Sequence, residues 1–140
     1  MKILLSIKPE FADKIFNGSK RFEFRKNIFK NKSVRTVVVY VTRPVGKIVG
    51  EFDINEIIND EPKVLWKRTH EFAGITKDFF DVYFRGRERA FALAIGDVRK
   101  YEEPFLPEDL IENFTPPQSF MYLDARLRQL SEEDKPLLLL

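Results

Sequence analysis

Thr36-Val37-Val38-Val39-Tyr40-Val41-Thr42, then a turn at Arg43-Pro44-Val45-Gly46, then Ile48-Val49-Gly50-Glu51-Phe52-Asp53-Ile54-Asn55: this run sets the fold class. Its first segment is continuously apolar and β-branched, which predicts a central strand covered on both faces. The proline and glycine between the segments supply a turn. The second segment alternates, with Ile48, Gly50, Phe52 and Ile54 on one side and Val49, Glu51, Asp53 and Asn55 on the other. That is the pattern of a long half-buried strand, and glycines near its start let it bend as barrels require.

Upstream, Ile3-Leu4-Leu5-Ser6-Ile7-Lys8 reads as a first strand. Pro9 suits a first helical residue, Phe11 and Ile15 give that helix an apolar stripe, and Gly18 ends it. From Gly18 to Lys26 the chain alternates again. Phe22 and Phe24 take one face, while Arg21, Glu23 and Arg25 take the other. Between Lys20 and Arg35 there are seven basic residues (Lys20, Arg21, Arg25, Lys26, Lys30, Lys32, Arg35) and one acid, Glu23. Such an arrangement is either a binding site or an exposed ion-pair ladder, and composition favours the ladder. The lysine-rich connection 27–34 is expected to project into solvent.

Downstream, Asp60-Glu61-Pro62 is expected to start a helix capped by Asp60 and anchored by Val64, Leu65 and Trp66. A second helix begins at Thr76 and ends near Gly86, and its stripe of Phe79, Phe80, Tyr83 and Phe84 is read, with Trp66, as core. Ala90 to Gly96 alternates large and small side chains, so one face fills the core and the other permits close approach or leaves room for a pocket. Pro104 to Asn113 reads as a short acidic helical turn, and Thr115-Pro116-Pro117-Gln118-Ser119 as a stiff extended loop. Phe120 to Leu123 returns as a last strand. Asp124 is placed to cap a terminal helix carrying Leu127 and Leu130, ahead of a leucine-rich tail. Sequential strands without regular βαβ alternation predict an α+β fold, a small, partly open barrel with helices at its mouth. Residues 1–140 are expected to form one domain, with the core at about 3–123 and a helix and tail at 124–140.

Bulk properties narrow the chemistry. The 140 residues are 44% hydrophobic and 33% charged, as in a soluble globular protein. There is no cysteine and one histidine, His70, which excludes thiolate chemistry and disfavours a histidine-based triad or metal centre. No metal and no cofactor is expected. No apolar run approaches the ~20 residues that span a bilayer, and the first six residues are too short for a signal peptide, so a cytoplasmic protein without a membrane partner is expected. The net charge of +2 hides an asymmetry. Basic residues crowd the first half and acids lie from Glu102 to Glu112 and at Glu132-Glu133-Asp134, which orients a polyanion towards one side.

Leu5-Ser6-Ile7-Lys8-Pro9, Gly18-x-Lys20 followed by Glu23-x-Arg25, Val49-Gly50-Glu51 and Pro116-Pro117-Gln118-Ser119 together resemble the ASCH domain, of the PUA-like superfamily of β-barrel RNA-binding modules. The likeness runs from Ile3 to Leu123 and is loosest between Glu61 and Thr76. It implies a five- or six-stranded barrel with a cleft beside the first helix, lined from the Lys20 strand, for RNA or a nucleotide-like ligand. Many similar proteins are labelled predicted transcriptional regulators, some with a helix-turn-helix segment for which this chain has no room.

The residue chemistry supports such a ligand. Lys8, Lys20, Lys26, Lys30 and Lys32 offer point charges to phosphate, and Arg25 a planar fork to phosphate or a base edge. Glu23, held between cations, orients their donors. Phe22 and Phe24 are read as buried, Phe29 as equally core or stacking, and Tyr40 as a core residue or a hydroxyl at the cleft mouth. Gln118 and Ser119 follow rigid prolines as positioned donors, or make only turn hydrogen bonds. RNA, another single-stranded nucleic acid or a nucleotide-like molecule is the expected partner.

The resemblance also implies an alternative. Some ASCH proteins are amidohydrolases on acylated nucleosides, using a lysine, a threonine and a distal glutamate, and others are proposed ribonucleases. Lys20 falls on the lysine position and Glu71 near the distal acid, but Glu23 replaces the threonine and removes its nucleophilic hydroxyl. Lys20, Tyr40 and Ser119 are the candidates for acid, base and charge stabilisation in RNA cleavage. Because of Glu23, binding is favoured over catalysis.

Overall fold

The computed structural model describes residues 1–118 and 120–123. The β-branched run forms β3 (Thr36–Val41), with β1 (Lys2–Ile7) parallel to it on one side and β4 (Lys47–Asp60) antiparallel on the other. Long β4 pairs in turn with β5 (Ala90–Phe105), and β5 with the short basic strand β2 (Phe22–Arg25). The last strand, β6 (Phe120–Tyr122), lies outside β1, so the order is β2-β5-β4-β3-β1-β6. Register shifts near Gly50, Phe52 and Ile54 mark bulges that coil β4 and β5. The result is a six-stranded half-barrel carrying three helices, an α+β fold as expected.

Alternation decides what each strand buries. Ile3, Leu5, Ile7, Val37, Val39, Val41 and Phe52 face α1 (Pro9–Asn17), meeting its Ala12 and Ile15. Leu4, Val38, Tyr40 and Ile48 face the other way, onto Leu110, Ile111 and Leu123. A third cluster joins Phe24 and Ala92 to Leu65 of α2 (Pro62–Thr69) and to Phe80 and Phe84 at α3 (Lys77–Tyr83). Each large aliphatic or aromatic side chain so buried stabilises the fold by about 2–3 kcal/mol. Gly50 is the close approach that the sequence only hinted at. A Cβ there would stand 2.7 Å from the Phe16 ring of α1 and 2.5 Å from the Arg99 carbonyl, so the helix sits directly on the strand.

Several expectations need correction. The connection 27–34 does not simply project: Phe29 and Val34 are buried in the α1 cluster, while Asn27, Lys30, Lys32 and Ser33 reach solvent. Pro104 lies within β5, which runs on to pair Phe105 with Ile48, and the acidic turn shrinks to a 3₁₀ turn at Pro107–Asp109. Glu61, not Asp60, is the N-cap of α2, while the Asp60 side chain accepts from the Glu61 N–H. The cap of α3 is as read: Thr76 accepts from the Phe79 N–H at 3.1 Å. The suggested helix after Asp124 lies outside the described residues.

Candidate functional site

The basic strand does not carry an exposed ladder. Glu23 is only 8% exposed and Lys20 only 2%. Three local features bury them. The chain leaves α1 through Gly18, and the Lys20 N–H donates back to the Lys14 carbonyl. The Arg21 N–H then donates to the Phe72 carbonyl, which fastens the start of β2 to the turn before α3. Finally, α3 lies over this junction, so β2, α1 and α3 enclose a cavity of about 180 Å³. Its polar wall is Ser6, Lys8, Lys20, Glu23 and Arg25; its apolar wall is Phe11, Phe24, Ile75, Phe79 and the ring of Tyr83.

Lys20 is held on every side. Its Nζ donates to the Ala73 carbonyl at 2.6 Å and lies 5.0 and 5.3 Å from the ring centres of Phe24 and Phe11. Burial pulls its amine below the ordinary lysine value, against the Glu23 charge, while Lys14 adds to the lowering. Its stem fits against Gly74, where a Cβ would meet three Lys20 carbons at 2.5 to 2.8 Å and where φ is +69°. Both facts demand glycine. Gly74→Ala should therefore destabilise the protein by about 2 kcal/mol or more, adding left-handed strain to displacement of the lysine. A urea midpoint unchanged from the parent would contradict that account.

Glu23 is held differently. Its Oε2 is buried with no hydrogen-bond partner among the described residues. An anionic oxygen withdrawn from water without a donor is unfavourable by several kcal/mol unless something else supplies the donor. Next to it, burial pushes the Tyr83 hydroxyl up, opposed by the Arg25 charge and reinforced by that of Glu23, so the phenol stays a neutral donor. The cavity thus offers one unengaged acceptor, cationic donors and flat aromatic walls.

Among the residues read from the sequence, Lys8, Lys20, Glu23 and Arg25 are brought together here. Lys26 is exposed at the rim, its Nζ 4.8 Å from the Tyr83 ring centre. Lys30 and Lys32 are exposed on the loop before β3 and do not line the cavity. Tyr40 lies on the other face of the sheet, buried against Phe114 with ring centres 5.1 Å apart, because its neighbours Val39 and Val41 take the α1 face. Lys20 and Tyr40 are therefore not assembled into one constellation. Glu71 is exposed on the 3₁₀ turn His70–Phe72, outside the cavity lining. Gln118 is exposed, the adjacent Pro117 carbonyl accepts from the Ser6 hydroxyl at 2.8 Å, and Ser119 lies outside the described residues.

Sequence reasoning missed Ser6, Phe11, Ile75, Phe79 and Tyr83 as walls of this cavity. A signal existed for two of them. Phe79-Phe80 and Tyr83-Phe84 are adjacent pairs, and neighbours on a helix point about 100° apart, so four aromatics cannot all face one core. Phe80 and Phe84 are buried; Phe79 is 39% exposed.

Among the described residues, no group of acids and histidines could hold a metal ion, and no helix is long and apolar enough to cross a membrane. Comparison with known proteins gives a consistent family. The ASCH domain matches residues 5–105. A Zymomonas mobilis protein described as an ASCH domain-containing ribonuclease is 32% identical over 126 residues, covering 86% of this chain and 82% of that one. The crystal structure of ASCH from Zymomonas mobilis superposes with a TM-score of 0.81 at 29% identity, covering 95% of this chain and 90% of that chain. The large ribosomal subunit protein uL22 of Ureaplasma parvum is 36% identical over 124 residues, of which this chain spans only 39% of the length.

Proposed function

The chain belongs to the ASCH domain family, and we propose that it binds RNA by taking one unpaired base into the Lys20–Glu23 cavity while lysines at the rim contact phosphate. The observation that carries this reading is the Glu23 Oε2, buried and without a donor among the described residues, in a cavity whose wall combines cations with the rings of Phe11, Phe24, Phe79 and Tyr83. A base edge supplies N–H donors to a carboxylate, and its faces suit flanking rings. Lys8 and Lys26 at the mouth, with Lys30 and Lys32 on the loop beyond, supply the electrostatic component.

The test is binding of a fluorescently labelled single-stranded RNA oligonucleotide across a salt series. Lys20→Ala should weaken binding at least tenfold. Joint replacement of Lys26, Lys30 and Lys32 by glutamine should lower the slope of log affinity against log salt by about 2, from ~0.7 per neutralised single-strand phosphate. Duplex DNA should compete poorly. An affinity flat across the salt series, or indifferent to Lys20→Ala, would remove the reading.

A second reading has its own support. A relative similar over most of both chains is described as a ribonuclease, and an amine pulled towards neutrality by burial is suited to proton transfer. On that reading the same RNA is cleaved, and product bands on a gel disappear with Lys20→Ala. Intact RNA after prolonged incubation leaves binding as the function.

A further inference from the structure

At the mouth of the cavity, Phe79 and Tyr83 present their rings side by side, nearly parallel at 15° with centres 6.4 Å apart. Phe79 keeps 39% of its surface exposed although it is large and apolar. Two cations flank the pair. The Lys8 Nζ stands 5.7 Å from the Phe79 ring centre, and the Lys26 Nζ 4.8 Å from that of Tyr83. Both lysines are exposed, and among the described residues neither has a carboxylate within salt-bridge distance. Below, Phe11 meets Phe79 edge-on at 5.4 Å and keeps the ring from folding into the cavity.

From this we infer a second subsite: a ledge on α3 where the nucleotide next to the captured base stacks on Phe79 and its phosphates lie between Lys8 and Lys26. The inference rests on the proposed capture of one base in the cavity. The ledge is continuous with that cavity, since Lys8, Phe79 and Tyr83 belong to both. Its charge selects the occupant. An apolar peptide would gain nothing from two unpaired ammonium groups, whereas a nucleotide brings an aromatic face and an anion at the spacing the ledge offers. Neutral Tyr83, its hydroxyl directed to the Phe24 carbonyl at 3.4 Å, serves as the inner edge of the platform. Stacking of this kind tolerates any base, so the ledge adds affinity and demands an unpaired neighbour without reading its identity.

The experiment separates the two subsites by ligand length. Affinities of the ribonucleoside 5′-monophosphates and of the ribodinucleotides are measured for the wild type, Phe79→Ala, Phe79→Trp, Lys8→Gln with Lys26→Gln, and Lys20→Ala. Phe79→Ala should weaken the best dinucleotide by about 5- to 100-fold more than it weakens the mononucleotide, the size of one lost base-stacking contact. Phe79→Trp should retain or tighten the dinucleotide. The lysine pair should flatten the dinucleotide's salt dependence. If Phe79→Ala weakens both lengths equally, or neither, while Lys20→Ala weakens both, the cavity reading stands and the ledge is refuted. If the wild type binds neither length, both readings fall.

Discussion

Lys20→Met combined with Glu23→Leu should give a protein more stable than the parent by about 1–3 kcal/mol and unable to bind RNA. Apolar residues of similar volume commonly improve stability when they replace a buried charged pair. Here the expectation is sharper because Glu23 Oε2 has no donor among the described residues. Against the gain stands the Ala73 carbonyl, which loses its 2.6 Å bond from Lys20, a loss of ~1 kcal/mol. The aromatic walls already surround the pair, so methionine and leucine meet a compatible environment. Urea midpoints and RNA affinity check both halves. A less stable double variant would mean that the pair is architectural and does not await a ligand.

The same pair fixes the sign of a pH effect. The folded-state pKa of Lys20 lies below its unfolded value near 10.5, so the unfolded chain holds the proton longer. Between those two values stability rises with pH, and below both the unfavourable burial of the ammonium is fully present. The double variant lacks this rise. Tyr83 acts oppositely, since its raised value makes stability fall above its ordinary pKa of 10.0. Subtracting variant from parent cancels the burial part of the tyrosine shift and leaves the lysine, together with the smaller part of the tyrosine shift that Glu23 supplies.

The run from Thr36 to Asn55 carries its own period, so β3, β4 and the two-sided core around them were legible. Caps and breakers at Pro9, Gly18, Thr76 and Gly86 placed α1 and α3 within a residue or two. The length of β5 was not legible, because pairing with β4 overrides the local preferences of Pro104 and the acids beside it. The site was half legible. Alternation put Glu23 opposite Phe22 and Phe24, but period alone cannot tell solvent from a cavity when a distant helix covers the polar face. That cover depends on Phe72, Ala73 and Gly74 meeting Lys20 and Arg21 across some fifty residues of chain. Tyr40 was ambiguous for the converse reason. Its position in a run buried on both sides gave it two possible faces, and register with β4 chose the one away from Lys20.

Glu51→Leu should do the opposite of the Lys20→Met, Glu23→Leu double variant, although both remove a buried carboxylate from the same sheet. Glu51 is 3% exposed, on β4 between Val38 and Arg99. Its Oε1 accepts from the Tyr101 hydroxyl at 2.9 Å, and its Oε2 from Arg99 at 2.9 Å and Lys2 at 3.3 Å. Three strands are thereby tied over Val38, on the face turned away from the cavity. Removing this acceptor leaves the half-buried phenol and two cations without their shared partner, and a loss of about 2–4 kcal/mol follows. The lower part of that range applies, because Arg99 is 45% exposed and keeps Asp53 at 2.6 Å. That residual pair gives an acid signature. The hydrogen bond from Arg99 holds the Asp53 carboxyl below its ordinary value of 3.8, so its stabilisation is present above that pH and is lost as pH falls through the lower folded value. Acid titration of Glu51→Leu should retain this limb, and Asp53→Asn should remove it. RNA affinity of folded Glu51→Leu should equal that of the parent. Unchanged stability in Glu51→Leu, or loss of RNA binding at a temperature where it is fully folded, would mean that the two carboxylates are not divided into one that holds the sheet and one that waits for a ligand.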